Sequence, residues 1–115
     1  MPLEKRTRVE VFLPIRSDTV AYGTVTEWLA EELAFSRGGS TLTTPFTGLY
    51  SSTTEKTLAH DQIQILFCDF DLDSDDVDGR AELLSYMNDL RRLMLMEILH
   101  EEDVWIVYHS VTRIL

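Results

Sequence analysis

Two histidines and two tyrosines are the side chains of this chain best suited to acid–base chemistry: His60, His109, Tyr50 and Tyr108. An unperturbed imidazole titrates near neutral pH, so a histidine in a pocket can act as a general acid or base. His109 lies in an apolar strand-like segment and could join Tyr50, Glu10 or Gln64 in a pocket closed by a partner. We favour the simpler interpretations: His109 makes one hydrogen bond within an interface, and His60 lies on the surface.

A run of acidic residues offers a second kind of chemistry, the binding of a divalent cation. Counted from Asp71, carboxylates fall at positions 1, 3, 5 and 12, the spacing of a calcium loop. Two residues depart from that pattern, because Asp76 replaces the glycine of the sharp turn and Asp78 replaces an apolar residue. We therefore interpret the run as a solvated loop in which Asp75 or Asp78 caps the next helix, and we expect neither a metal site nor a cofactor.

The single cysteine and the charge balance exclude several classes of protein. Cys68 cannot form an internal disulfide, which fits a reducing compartment, and we expect it to be buried and unreactive. No segment resembles a signal peptide or a membrane span, so we predict a cytoplasmic protein. With 10 basic against 20 acidic residues, the net charge of −10 disfavours nucleic acid and anionic membranes as partners.

The elements that must position these residues follow from hydrophobic periodicity and turn residues, and they form a single domain over residues 1–115. A capping box, Thr24-Val25-Thr26-Glu27, predicts that the first helix begins at Thr24 or Thr26, and Gly38-Gly39 ends it. Pro45 restricts the segment around it to an edge strand or a broken one. The predicted strands are 8–16, 40–50, 59–70 and 104–111, a polar hairpin loop covers 51–56, and the second helix is 79–99.

Each element has a predicted buried side. The helical stripes are Val25, Trp28, Leu29, Leu33 and Phe35 in the first helix, and Leu83, Leu84, Met87, Leu90, Met94 and Ile98 in the second. The strand residues predicted to face the helices are Val9, Val11, Leu13, Ile63, Ile65 and Phe67. The element order βαββαβ predicts a ferredoxin-like α+β fold, in which two helices cover one face of a four-stranded antiparallel sheet.

The last strand is apolar on both of its faces, with Trp105, Val107 and Val111 on one side and Val104, Ile106 and Tyr108 on the other. Two helices can cover only one of these sets, and Leu95, Met96 and Leu99 add a further apolar patch. A contiguous apolar surface of this kind is unusual on a monomer. We therefore predict a homodimer, whose symmetric contact hides both sets.

Short segments of the chain resemble known proteins of this fold. The runs Gly38-Gly39-Ser40-Thr41-Leu42 and Gly48-Leu49-Tyr50, after a helix opened by Val25-Thr26-Glu27-Trp28, are similar to those of small uncharacterised bacterial proteins. More broadly, the layout resembles the dimeric α+β barrel superfamily, in which two such sheets pack face to face. The resemblance implies the fold and a dimer, and it transfers no catalytic residue.

Three classes of function are consistent with the sequence. The first, which we favour, is a small dimeric module that binds a partner or a ligand without turnover. The second is an enzyme of the dimeric α+β barrel kind acting on a small apolar or aromatic compound, with Tyr50, His60, Tyr108 and His109 as its candidates. The third is an acidic inhibitor or adaptor that meets a basic protein through the net charge of −10.

Overall fold

The computed structural model describes residues 2–15, 20–51, 58–98 and 105–115, and of 49–51, 58–61 and 95–98 the backbone alone. Two long helices and an antiparallel sheet make up this part of the chain. In chain order the elements are β1 (Leu3–Pro14), α1 (Val20–Arg37), β2 (Thr41–Leu42), β3 (Phe46–Ser51), β4 (Leu58–Phe70), α2 (Val77–Leu90) with a π-helical continuation (Arg91–Ile98), and β5 (Trp105–Ile114). The predicted hairpin loop lies almost entirely outside the described residues.

The sheet has the predicted ferredoxin-like topology. β4 and β1 are central, β5 pairs with β1 on one side, and β2 and β3 both pair with β4 on the other. The five strands thus occupy four positions, because the predicted second strand is divided into β2 and β3 around Pro45. This division confirms both predictions for the proline: the strand is at an edge, and it is broken.

Both helices pack on the same face of the sheet, which holds the core. The buried cluster joins β1 and β4 to both helices through Val9, Val11, Leu13, Val25, Leu29, Leu33, Leu66, Cys68, Phe70, Leu83, Met87 and Leu90. The opposite face carries no helix within the described residues, and we call it the open sheet face. No helix in this part of the chain is long and apolar enough to cross a membrane.

Helix α1 begins at Val20, so the predicted capping role of Thr24 or Thr26 is wrong. The buried Tyr22 extends the apolar stripe by one turn towards the N-terminus, which places Thr24 inside the helix. There the Thr24 hydroxyl donates to the Val20 carbonyl at 3.2 Å. The end of the helix is as predicted: Gly38 has φ of 95° and its amide donates to the carbonyl of Ala34.

Three aromatic or aliphatic residues assigned to the helical stripes lie on the surface instead. Trp28 is 51% exposed and Phe35 89%, while Leu84 on α2 is 48% exposed. Trp28 and Leu84 are each next to a buried leucine, Leu29 and Leu83, and Phe35 is two positions from the buried Leu33. Their exposure leaves the buried stripes narrower than the sequence predicts.

The predicted register of β4 is wrong by one residue over most of its length. In the ladder Val9 lies opposite Cys68 and Val11 opposite Leu66, so these four residues share the face covered by the helices. Ile65 and Phe67 consequently lie on the open sheet face. The error has a physical cause. Both faces of this strand carry apolar residues, so hydrophobic alternation cannot show which face packs on the helices. Ile63 follows the same alternation as Ile65 and Phe67 and so belongs to the open sheet face, but it is buried.

Helix α2 begins at Val77, and its N-cap is Asp76 rather than the predicted Asp75 or Asp78. The Asp76 carboxylate accepts a hydrogen bond from the amide of Gly79 at 2.9 Å. A cap carboxylate satisfies a free amide at the helix start and complements the helix dipole. Of the predicted second apolar patch, the side chains of Leu95 and Met96 and the whole of Leu99 lie outside the described part of the structure.

Candidate functional site

The four residues predicted to carry acid–base chemistry do not meet at one place. Tyr108 and His109 are consecutive in β5, so they point to opposite faces of the sheet. Tyr108 lies on the helix side, and His109 is exposed on the open sheet face opposite Arg8. Tyr50 and His60 lie in the paired strands β3 and β4, where the structure describes only their backbone.

The two candidate histidines, His60 and His109, are far apart along the sheet. Asp69 and His109 are both level with Arg8, whereas His60 precedes Asp69 by nine residues of β4, which is about 30 Å of extended chain. Of the residues that could join His109, Gln64 faces the helices, where its amide donates to the Thr43 carbonyl, whereas Glu10 shares the open sheet face with His109. The residues proposed for the enzyme therefore remain separate candidates.

A charged row crosses the open sheet face at Asp69, Arg8 and His109. Arg8 donates to both carboxylate oxygens of Asp69, at 2.7 and 2.9 Å, and its guanidinium lies 4.9 Å from the ring centre of Phe67. The hydrogen bond from Arg8 lowers the pKa of Asp69. Asp69 is thus held as the carboxylate and positions Arg8, which makes it a poor general acid.

Cys68 is buried in the core, as predicted. Burial raises the pKa of its thiol to about 11, even though Arg37 and Arg6 act in the opposite direction. The thiolate is the reactive form of cysteine. At neutral pH Cys68 is therefore a packing residue rather than a nucleophile.

The acidic loop uses its carboxylates for local structure. Asp73 accepts from the amide of Asp75 at 2.9 Å, Asp76 caps α2, and the exposed Asp75 lies 3.4 Å from Lys5. Among the described residues, no three Asp, Glu, His or Cys side chains come together in a way that could hold a metal ion.

We expect calcium to bind this loop weakly if at all. Titration of Ca²⁺ into the protein, followed by calorimetry, should give at most millimolar-class binding because the ligand geometry of a calcium loop is missing. Micromolar affinity with a defined stoichiometry would contradict this interpretation of the acidic run.

A groove with a volume of about 740 Å³ lies between α1 and the ends of β1, β2 and β4. Small and apolar residues form most of its wall, including Leu13, Ala30, Ala34 and Leu42. Two exposed carboxylates, Glu27 and Glu31, lie along its α1 side. We call it the α1 groove. A concave apolar site with a few polar groups is typical of ligand-binding pockets.

The open sheet face is a second candidate surface. Its apolar part consists of Phe12, Ile65, Phe67, Trp105 and Val107, from three adjacent strands. Trp105 is 63% exposed, and the other four side chains are only half-buried. The sequence predicts an uncovered face of β5 but not the contribution of β4, because the predicted register places Ile65 and Phe67 in the core.

Comparison with known proteins supports the fold. No protein-family model and no curated protein matches the chain. Among solved structures, the divalent cation tolerance protein of Thermus thermophilus is 14% identical, with a TM-score of 0.52 over 91% of this chain and 82% of its own. CutA from Synechococcus elongatus is 10% identical, with a TM-score of 0.54 over 97% and 85% of the two chains.

A third similar structure is a phage SAM lyase in complex with S-methyl-5′-thioadenosine. It is 13% identical, with a TM-score of 0.50 over 94% of this chain and 90% of that one. At such identities the likeness extends to the fold alone. It supports the predicted resemblance to small ferredoxin-like α+β proteins, and the narrower resemblance to dimeric α+β barrels stays a prediction.

Proposed function

We propose that this protein is a binding module built from two identical subunits, which pair through their open sheet faces and turn over no substrate. The observation that carries the proposal is the apolar patch formed by Phe12, Ile65, Phe67, Trp105 and Val107. Burial of such surface contributes about 25 cal/mol per Å² before the cost of association is subtracted. The separation of Tyr108 from His109, on opposite faces of the sheet, further supports binding rather than catalysis.

The charges on the open sheet face favour a second copy as the occupant. The chain as a whole carries −10, which would repel an identical chain at long range. On the open sheet face, however, acidic and basic side chains are nearly balanced. They are Glu4, Arg6, Arg8, Glu10, Asp69, His109 and Arg113. Two such faces can approach each other without the repulsion that the rest of the surface would cause, whereas a strongly basic partner would find no matching excess of acid here.

Substitutions of two tryptophans test this interface. Trp105→Glu places a charge in the β5 part of the patch and should convert the dimer to a monomer, because an unpaired charge in a desolvated contact is costly. Trp28→Glu is the matched control, since Trp28 is similarly exposed but lies on α1, away from the patch. Analytical ultracentrifugation measures both masses. Equal masses for the two variants would contradict the proposed interface.

The α1 groove favours a second function for the same module, the binding of a small apolar ligand. Its walls are mainly apolar, and the carboxylates of Glu27 and Glu31 favour a neutral or cationic compound over an anion. A volume of about 740 Å³ is within the range of small-molecule sites.

The groove can be filled without disturbing the core, because Ala34 lines it from an exposed position on α1. Ala34→Phe should weaken the binding of the neutral dye Nile red by about tenfold, while Ala21→Phe, on the same helix but outside the groove, should leave it unchanged. Dye fluorescence at increasing protein concentration measures both. If Ala34→Phe binds the dye as the parent does, the groove is not the site.

A further inference from the structure

We infer that the protein has a binding site for a small organic oxyanion, formed by Arg6, Arg37 and Arg113 around the loop Gly38–Thr41. These three arginines line a cleft of about 480 Å³, which we call the arginine cleft. They come from β1, the last turn of α1 and β5, so the sequence separates them widely and only the fold brings them together.

The concentration of positive charge here is notable in so acidic a chain. Of 10 basic residues against 20 acidic ones, three line this cleft and a fourth, Arg8, lies beside it. Asp69, the one acidic residue of the lining, is fully engaged by the two hydrogen bonds from Arg8. Arg8 and Asp69 therefore offset each other, which leaves Arg6, Arg37 and Arg113 as the positive charges of the cleft.

The remaining carboxylates satisfy the arginines only in part. Arg6 contacts a single oxygen of Glu4, with nitrogen–oxygen distances of 2.8 and 2.6 Å, and Arg113 lies 3.8 Å from the other oxygen of the same carboxylate. One carboxylate is thus shared by two guanidinium groups. Since each guanidinium has five N–H donors, most of the donors in this pair have no partner among the described residues and are available to a ligand.

Arg37 is the most confined of the three. Its guanidinium stacks on the ring of Tyr86, 4.2 Å from the ring centre, and it forms an ion pair with the exposed Glu82 at 3.5 Å. Within the described structure, its Nε is buried and has no hydrogen-bond partner. The C-terminal end of a helix favours a cation, which explains a basic residue at this position. Arg6 and Arg113 reach the cleft from the open sheet face, whereas the Arg37 guanidinium packs on the helix side, against Tyr86.

The shape of the cleft indicates the class of ligand. Thr41 adds a hydroxyl group, whereas the Ser40 hydroxyl donates to the carbonyl of Ala30 at 2.7 Å, and Phe67 and Val111 give part of the wall an apolar character. The volume exceeds that of a bare phosphate or carboxylate group, so an apolar portion attached to the oxyanion can lie against these two residues. Guanidinium groups bind both phosphate and carboxylate in a bidentate manner. The ligand class is therefore an organic phosphate or carboxylate of metabolite size.

The arginine cleft opens on the same sheet face as the proposed dimer patch and shares Phe67 with it, but Arg6 and Arg113 lie towards the other end of their strands. Along β1, Arg6 is six residues from Phe12, which is about 20 Å of extended chain. The arginine cleft thus lies at the opposite end of the sheet from Trp105. Loss of pairing and loss of anion binding can be measured separately.

The test uses phenyl phosphate and benzoate as probes of the two oxyanions, each titrated at low salt while backbone amide NMR shifts are followed. Saturable shifts confined to residues 38–41 and to those around Arg6 and Arg113 are expected with at least one probe. The tighter probe then assigns the oxyanion as phosphate or carboxylate. Scattered, non-saturating shifts with both probes would overturn the inference.

Two arginine variants distinguish a specific binding site from a general effect of net charge. Arg113→Gln removes a 61% exposed side chain from the cleft and should weaken binding about tenfold, the loss expected for a charge-assisted hydrogen bond. Arg92→Gln removes a similarly exposed charge outside the cleft and should have no effect. An equal loss in both variants would show that the probes respond only to net charge, which also overturns the site.

Discussion

Val11→Asp should unfold the protein or leave it only marginally stable. Val11 is fully buried, lying between Leu66 of β4 and Ile106 of β5 in the sheet and facing the two helices. No cation lies in the buried cluster around it, as far as the structure describes the chain. An uncompensated buried charge costs about 3–5 kcal/mol, against a typical total stability of about 5–15 kcal/mol.

Leu3→Asp is the matched control for this substitution. Leu3 lies in the same strand and on the same face as Val11, but it is 64% exposed. We expect its urea midpoint, measured by circular dichroism, to stay close to that of the parent. A Val11→Asp variant that unfolded at the parental midpoint would show that β1 does not present Val11 to the core.

Gly79→Ala should lower the free energy of unfolding by about 1–3 kcal/mol, the range for a forced overlap in a packed site. A methyl group at Gly79 would lie 2.5 Å from the backbone carbonyl oxygen of Asp73, far inside contact distance. The same carbonyl accepts from the amide of Asp76, the residue that caps α2. The added methyl therefore disturbs the turn that starts the helix.

A second glycine gives the opposite expectation. Gly23 lies within α1, and no neighbouring atom that the structure describes lies within 4 Å of a methyl group built there. Gly23→Ala should raise stability by up to about 1 kcal/mol, because alanine favours the helix more than glycine does. Urea denaturation of the two variants measures the difference in sign. Stabilisation by both alanines would contradict the close approach of Gly79 to Asp73.

The sequence predicts the architecture well because the strong signals are local. The glycine pair after α1, the proline between β2 and β3 and the helical spacing of Leu83, Met87 and Leu90 each depend on neighbouring residues. These signals suffice to give the element order and hence the topology. The apparent capping box at Thr24 shows the limit of such signals, since the buried Tyr22 extends the helix past it.

The surfaces are harder to predict because they depend on pairing across the sheet. Ile65 and Phe67 belong to the open sheet face only because Val11 lies opposite Leu66, and no residue near them in sequence reveals that register. The arginine cleft is an extreme case. Arg6, Arg37 and Arg113 stand in three unrelated segments, and the composition shows only a strongly acidic chain.

The mass of the unmodified protein in solution tests the pairing of subunits most directly. Static light scattering at micromolar concentration should give twice the 13.3 kDa of one chain. Added salt should increase the paired fraction, because it screens the repulsion between chains of charge −10. A mass of 13.3 kDa at both low and moderate salt would contradict the proposal that the open sheet face binds a second copy.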